Sequence, residues 1–545
     1  MSAQCAIVSH TRTTTVAAGV FAPGHLGEFT PYVPFELVDA VLAETRTVQR
    51  RLRDLPSRIG VYFLLALGLF PHLGYLRIWD KLVAGLEGLP LPIPSEKALR
   101  VLRRRLGPAP LKLLFDTLAV PLAPPSTPGM AYRRWRTVAF DGCHSLKVPD
   151  AEGNRTWLGR LRHRLGWAGY PTVMLMALCE TGTRALLAAV VRPAAHGQIA
   201  YALRLISRLD SSMVLLGDRA FDAHELLRQV AATQAQLLIR AKSTRRLLRM
   251  ATLPDGSWLT QIAGVRLRVI EVHLSVRLAD GTRIADRYRL LTTLIDHRHH
   301  PAERLVGLYH ERWEVESAYF ALRHTLLDGH VLRSGDPAGL EQEIWALLAL
   351  YQVLRHAMVA AAQYGGVDPD RVCFTTAREV ARDRLILACG ITGESEDGVL
   401  QAALLAHLLP PRRGRISAWK VKSPISRYHT RSDQDRPRTS TAITEIVIEP
   451  PQSADRERRA GPGKHRTWYQ GRPRPSAPAE PEAVIADIDR VLAILAEDSI
   501  HPWHGRELAR ELGFTNLNSF RVRLSQWSHK DLILKVAPAT YTLTA

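Results

Sequence analysis

TVAFD, at residues 137–141, is a short apolar strand that stops on an acid. MVLLGD, at 213–218, repeats the arrangement. Between them, TVMLMALCE (172–180) and RALLAAVVRP (184–193) read as two more apolar strands joined by the turn signal ETGT. GQIAYALRLISRL then reads as an amphipathic helix, FDAHELLRQVAAT as a second, and AQLLIRAK as a closing strand. The order is strand, strand, strand, helix, strand, helix, strand. It predicts a mixed α/β sheet whose antiparallel hairpins come first. Asp141 and Asp218 would then end parallel strands at one sheet edge, where ligands collect in such folds. A carboxylate ending a buried strand is costly unless it is paired or binds a metal.

A third acid lies in YHERWEVESAYFALRHTLL, residues 309–327. At about 100° per residue, Leu308, Val315, Tyr319, Leu322 and Leu326 form one apolar face. Tyr309, Arg312, Trp313, Glu316, Phe320 and Arg323 form a second stripe beside it. Glu311 and Glu314 point nearly the opposite way and read as solvated. Glu316 is therefore either a salt-bridged structural residue or a functional one. With Asp141 and Asp218 at a common edge, it could complete a set of three converging carboxylates. Hard oxygen donors suit Mg²⁺ or Mn²⁺ and not zinc. Two such ions activate a nucleophile and stabilise the leaving oxygen in phosphoryl transfer. Arg312 and Arg323 could hold a DNA phosphate beside them.

The rest of the chain surrounds this centre. Residues 1–24 read as a loose tail, and 25–122 as an all-helical domain with a basic edge of Arg100, Arg103, Arg104 and Arg105. APPSTPG (123–129) is a linker by composition. Residues 130–404 form the α/β domain, with a β-rich insertion at about 241–296 marked by DGSW, ADGT and the alternating VRLRVIEVHLSVRL. The Pro- and Arg-rich 405–481 reads as linker. Residues 482–545 predict three helices and a β-hairpin, the winged-helix plan, with Arg521, Arg523 and Gln526 on the candidate recognition helix. A small protein-interaction module would show the same pattern.

The composition agrees with a nucleic-acid partner. The chain of 545 residues is 46% hydrophobic and carries a formal charge of +20, spread along its length. Such a surface suits a polyanion. Five scattered cysteines without a CxxC pair indicate neither a disulfide framework nor a zinc site. His297, His299 and His300 cluster in DHRHHP without an obvious fourth ligand. The N-terminus lacks the form of a signal peptide, and the longest apolar run, 59–70, is too short to span a bilayer. A cytoplasmic protein acting on DNA or RNA, without a membrane partner, is expected.

These blocks resemble the IS4-type DDE transposases. Tyr309, Arg312 and Glu316 match the signature Y-x2-R-x3-E-x6-K of that family, with Arg323 at the lysine position. That substitution keeps the charge and changes its geometry. DGCHSLKVPD matches the block around the first Asp of the family and GDRAF the block around its second. Residues 25–120 resemble its N-terminal helical domain, and the β-rich stretch its insertion. The resemblance covers about 25–405. It implies an RNase H-like catalytic domain with Asp141, Asp218 and Glu316 as ligands of two Mg²⁺ or Mn²⁺ ions. It implies Tyr309, Arg312 and Arg323 as contacts to the terminal phosphate of double-stranded DNA. Arg219 is a further phosphate contact or an ordinary surface charge, and Trp313 a core residue or a stacking platform for an unpaired base. Cut-and-paste transposition by a synaptic homodimer, on element ends and target DNA, follows from the resemblance. The other class of function is a transposase-derived DNA-binding regulator that has lost catalysis; the three intact acids argue against it.

Overall fold

The computed structural model describes residues 24–417 apart from short internal gaps, the strand 440–448, and most of 481–542. The expected tail, 1–23 in particular, lies outside the described residues. The chain divides into two units, Met1–Gly461 and Pro462–Ala545.

The first unit opens with five helices: α1 (Phe35–Glu44), α2 (Ser57–Leu69), α3 (Tyr75–Val83), α4 (Glu96–Leu106) and α5 (Ala109–Leu118). α2 is buried almost all round, as its unbroken apolar run requires. Ser95 caps α4 by accepting from the Ala98 N–H at 3.2 Å. Half of the basic edge expected on α4 is spent internally, while Arg100 and Arg104 stay exposed. Arg103 shares the inward stripe of Leu99, Leu102 and Leu106 and is 7% exposed. It donates to Glu343 and Ser334 at 3.0 Å and to Gln342 at 3.1 Å. Arg105 donates to the Leu55 carbonyl at 2.6 Å.

The sheet is mixed, as the strand order predicts. Its strands are β1 (Trp135–Lys147), β2 (Thr172–Glu180), β3 (Leu186–Arg192), β4 (Met213–Gly217), β5 (Gln236–Arg240), β6 (Trp258–Ile262), β7 (Val265–Arg277) and β8 (Arg283–Thr292). They lie in the order β3-β2-β1-β4-β5-β8-β7, with β6 paired to β7. β1, β4 and β5 are parallel neighbours; β2, β3 and β8 join antiparallel. The crossovers carry α6 (Gly197–Leu203) and α7 (His224–Ala232). Period-two alternation divides the sheet between two cores. Val173, Leu175, Ala177 and Cys179 of β2 face the helical cluster, while Met174, Met176 and Leu178 face the other cluster with Leu226 and Leu227. Each fully buried side chain of this size contributes about 1.5–3 kcal/mol.

After the insertion come α8 (Ala302–His310), α9 (Glu314–Phe320), α10 (Pro337–Tyr364) and α11 (Phe374–Ile386). By length and composition α10 could cross a membrane, but 89% of its apolar window is buried inside the protein. It is the core helix that joins helices to sheet. Gln352 accepts from the Leu186 N–H of β3 at 2.8 Å and donates to the Leu118 carbonyl of α5 at 3.0 Å.

The stretch expected as linker contains structure. Ser440–Ile448 is a strand paired antiparallel to β7, with Arg415–Ser417 beside it. AITEIVI, rich in β-branched residues, accounts for this within an otherwise Pro- and Arg-rich region.

The second unit contains α12 (Pro481–Glu497), α13 (Gly505–Glu511), α14 (Leu517–His529), β9 (Leu534–Ala537) and β10 (Thr540–Thr542). Trp503–His504 adds a third strand on β10. Leu508, Phe520, Leu524, Trp527 and Tyr541 form its core. On α14, Gln526 is exposed and the Arg523 guanidinium lies 5.7 Å from the Phe514 ring centre. Arg521 is on the same helix; its side chain lies outside the described residues.

Candidate active site

Strand register aligns the two aspartates. β1 and β4 pair in parallel from Arg136↔Met213 to Ala139↔Leu216. Two residues further on, at matching positions, come Asp141 and Asp218. β1 does not stop at Asp141, as the reading of TVAFD expected. It continues to Lys147 along β2, with a register shift between Cys143 and Leu146. Asp141 thus lies on a strand held by one neighbour, just past the end of the other. Its Oδ1 accepts from the Gly142 N–H at 2.7 Å, and its carbonyl accepts from the Tyr319 hydroxyl at 2.7 Å. A Cβ on Gly142 would come 2.6 Å from Met174 Cε, so that buried side chain would have to shift to admit one. Asp218 leaves β4 and starts a 3₁₀ turn, Arg219–Phe221, with Oδ1 accepting from the Ala220 N–H at 2.7 Å.

Glu316 is on α9. The stretch 309–327 is not one regular helix. α8 passes through a 3₁₀ turn, Glu311–Trp313, into α9, which widens into a π-helical segment, Ala321–Leu326. Such widenings recur at functional sites. The apolar face is buried as the periodicity predicts, through Val315, Tyr319, Leu322 and Leu326. On the second stripe, Tyr309 and Arg312 are buried, while Phe320 is 49% and Trp313 37% exposed. The Arg312 guanidinium lies 4.6 Å from the Trp313 ring centre.

Arg312 stands among the three acids. It donates to Glu316 Oε1 from both Nη atoms, at 3.3 and 3.4 Å. Burial works against its charge, but Tyr309, Glu316, Asp141 and Asp218 outweigh that and stabilise the cation. Burial lifts Asp141 to about 7, with Arg312 opposing and Glu316 and Asp218 reinforcing the rise. Glu316 is also raised, first by burial, against the pull of Arg312. The acids therefore sense one another around a shared cation. Among the described residues, no group of three or more His, Cys, Asp or Glu is arranged to hold a metal ion as it stands.

Beside the acids is a cavity of about 310 Å³ lined by Asp141, His144, Ser145, Glu316, Phe320 and Arg323 among others. Arg323 Nε donates to the Tyr319 carbonyl at 3.2 Å, and Nη1 donates to Ser145 Oγ. Its planar fork is thus fixed at the cavity wall. Arg219 is exposed next to Asp218. Tyr309 is 5% exposed, its ring centre 5.9 Å from that of Tyr288.

The other two glutamates are not solvated, contrary to the helical-wheel expectation. Glu311 Oε2 pairs with Arg413 Nη1 at 3.0 Å, and Arg413 also pairs with Asp368 at 2.6 Å. Glu314 pairs with Arg184, which also pairs with buried Asp370. Two arginines bolt the start of α9 and the turn before it to the segment before α11. Their partners lie 102 and 130 residues from the glutamates, and helical periodicity carries no signal of them.

Residues 143–353 match the sequence profile described as the transposase DDE domain, and residues 23–116 the one described as the insertion element 4 transposase N-terminal region. The chain belongs to the IS4-type DDE transposases. The DDE match spans Asp218 and Glu316 and begins two residues after Asp141. A curated relative of this transposase chain, the transposase InsG for insertion sequence element IS4 of Escherichia coli K12, is 26% identical over 411 residues. That alignment covers 73% of this chain and 92% of the relative. Among solved structures, a piggyBac transposase synaptic complex with hairpin DNA is similar with a TM-score of 0.37 and 11% identity, over 69% of this chain and 83% of that one.

Proposed function

We propose that this transposase binds the ends of its insertion sequence, cuts them and joins the freed 3′-OH ends to target DNA. What supports the reading is the strand register that sets Asp141 and Asp218 at matching positions, with Glu316, paired to Arg312, lining the same cavity as Asp141. The strand order β3-β2-β1-β4-β5, with β2 alone running against the other four, supports the RNase H-like reading.

The acids fit divalent cations by chemistry. All three are hard oxygen donors, and burial, reinforced by the neighbouring acids and only partly opposed by Arg312, lifts Asp141 to about 7. Asp141, Asp218 and Glu316 would hold two Mg²⁺ or Mn²⁺ ions. When bound, such ions activate the attacking water or 3′-OH and stabilise the leaving oxygen. The chain's own groups do the rest. Arg312 neutralises the acids before the ions arrive and can turn to a phosphate when they do. Arg323, braced by Ser145, offers a fixed fork to a second phosphate oxygen. Tyr309 lies beside Arg312 and helps hold its charge, which keeps the cation available to a phosphate. Exposed Arg219 supplies a further cation to the strand being cut. Gln526 and Arg523 of α14 belong to a separate DNA contact, completed by Arg521. Joining two ends to one target requires at least two copies of the chain.

A nicking assay tests this directly. Duplexes carrying the terminal repeats that flank the gene are incubated with Mg²⁺ and either wild type or Glu316→Gln. Cutting by wild type alone supports the reading; equal cutting by both removes Glu316 from it.

A further inference from the structure

The loop after β5 carries KSTRRLLRM, residues 242–250, and is built more firmly than a surface loop needs. Two clamps hold its backbone. Asp222, fully buried, accepts from the Lys242 N–H at 2.8 Å and from Arg245 Nε at 2.7 Å. Arg289 of β8 donates to the carbonyls of Lys242, Ser243 and Arg245 at 3.0–3.2 Å. Arg249 is fixed as well, its guanidinium 5.2 Å from the Trp258 ring centre.

What the clamps display is basic and apolar at once. Lys242, Arg246 and Arg249 are exposed, and between them Leu248 is 77% and Met250 55% exposed. Among the described residues, the Lys242 ammonium and the Arg246 guanidinium have no carboxylate partner within ion-pair distance. Exposed leucines on a rigid basic loop gain nothing from water. They fit a partner that presents phosphates beside stacked bases into which an apolar side chain can wedge, as duplex DNA does.

The loop's position completes the case. β4 and β5 pair in parallel up to Gly217↔Ile239, so Asp218 and Arg240 come next at the same end of the two strands, and the loop leaves β5 there. Asp222, which anchors the loop, is four residues beyond Asp218. Arg240 and Asp218 both act on Tyr309.

We propose that 242–250 is a preformed DNA contact beside the acid site, with Lys242, Arg246 and Arg249 on phosphates and Leu248 against a base step. The clamps give the loop its shape before DNA arrives, so little ordering entropy opposes binding. This rests on the transposase reading above and adds to it the surface that seats the duplex flanking the cut.

The test uses the full chain and a linear duplex carrying one terminal repeat. Binding is measured across a salt series for wild type and for Lys242→Ala/Arg246→Ala/Arg249→Ala. Each phosphate contact contributes about 0.9 to the slope of log K against log salt, so the triple variant is expected to lose about 2.7 from the slope. Arg289→Ala keeps those three charges but frees the loop. It is expected to weaken binding with little change of slope. Leu248→Ser should lower the fluorescence gain of a 2-aminopurine placed at the cut site. Matching melting curves for variants and wild type show that the fold is kept. An unchanged slope in a folded triple variant overturns the loop proposal, while Mg²⁺-dependent cutting by wild type and not by Glu316→Gln leaves the transposase reading standing. Failure of that cutting arm with a reduced slope has the opposite meaning.

Discussion

Arg184→Met offers a demanding test of how α9 is held. Arg184 pairs with both Glu314 and Asp370, and the three side chains are 5%, 20% and 3% exposed. Methionine keeps much of the volume and removes the charge. Two carboxylates then face each other with little water. Breaking a buried pair by deleting one partner costs about 3–5 kcal/mol, against at most about 1 kcal/mol for a surface pair. At about 1.4 kcal/mol per tenfold, the unfolding equilibrium constant should rise about a hundredfold to several thousandfold. Adding Asp370→Asn should recover a large part of the loss, because Glu314 alone can turn toward solvent. The assay is urea unfolding of the full chain followed by tryptophan fluorescence, wild type against single and double variants. A loss under about 1 kcal/mol for Arg184→Met, or no rescue by Asp370→Asn, would refute the claim that this network is buried and coupled.

Three further outcomes are expected. His310 is held down to about 4 by burial, against an ordinary value of 6.5. The unfolded chain therefore binds the extra proton first, and stability present above about pH 6.5 is lost as pH falls toward 4, by about 3 kcal/mol in all. His310→Leu should flatten that part of the unfolding profile; parallel profiles would count against it. Gly142→Ala should cost about 1 kcal/mol, because the added Cβ meets Met174 Cε at 2.6 Å and that side chain must repack, and a melting curve matching wild type would show that Met174 yields freely. Arg323→Lys loses the bracing contact to Ser145 and should raise the KM for terminal-repeat DNA more than it lowers kcat. A kcat effect alone would assign Arg323 to chemistry instead of binding.

Much of the central architecture was legible because local rules decide it. Apolar runs with turn signals between them give β1 to β5 in order, and two acids following two parallel strands must share an edge. The inward stripe of α9 follows from its period. What local rules could not show are pairings across long stretches of chain. Glu311 and Glu314 face away from the apolar stripe and look solvated until Arg413 and Arg184 arrive from elsewhere. Arg103 looks like part of a basic edge, yet its position among Leu99, Leu102 and Leu106 was a signal that it points inward. Asp222 reads as an ordinary loop acid, and only the folded chain brings Lys242 and Arg245 to it. The strand 440–448 had a visible cue in AITEIVI, masked by the proline and arginine around it.

The central claim is that Asp141, Asp218 and Glu316 act together as one cation site. Mn²⁺ titration followed by electron paramagnetic resonance tests it most directly, on wild type and on Asp141→Asn, Asp218→Asn and Glu316→Gln. The account predicts saturable Mn²⁺ uptake by wild type, weakened at least tenfold in each of the three variants. Uptake that is the same in all four proteins would contradict it.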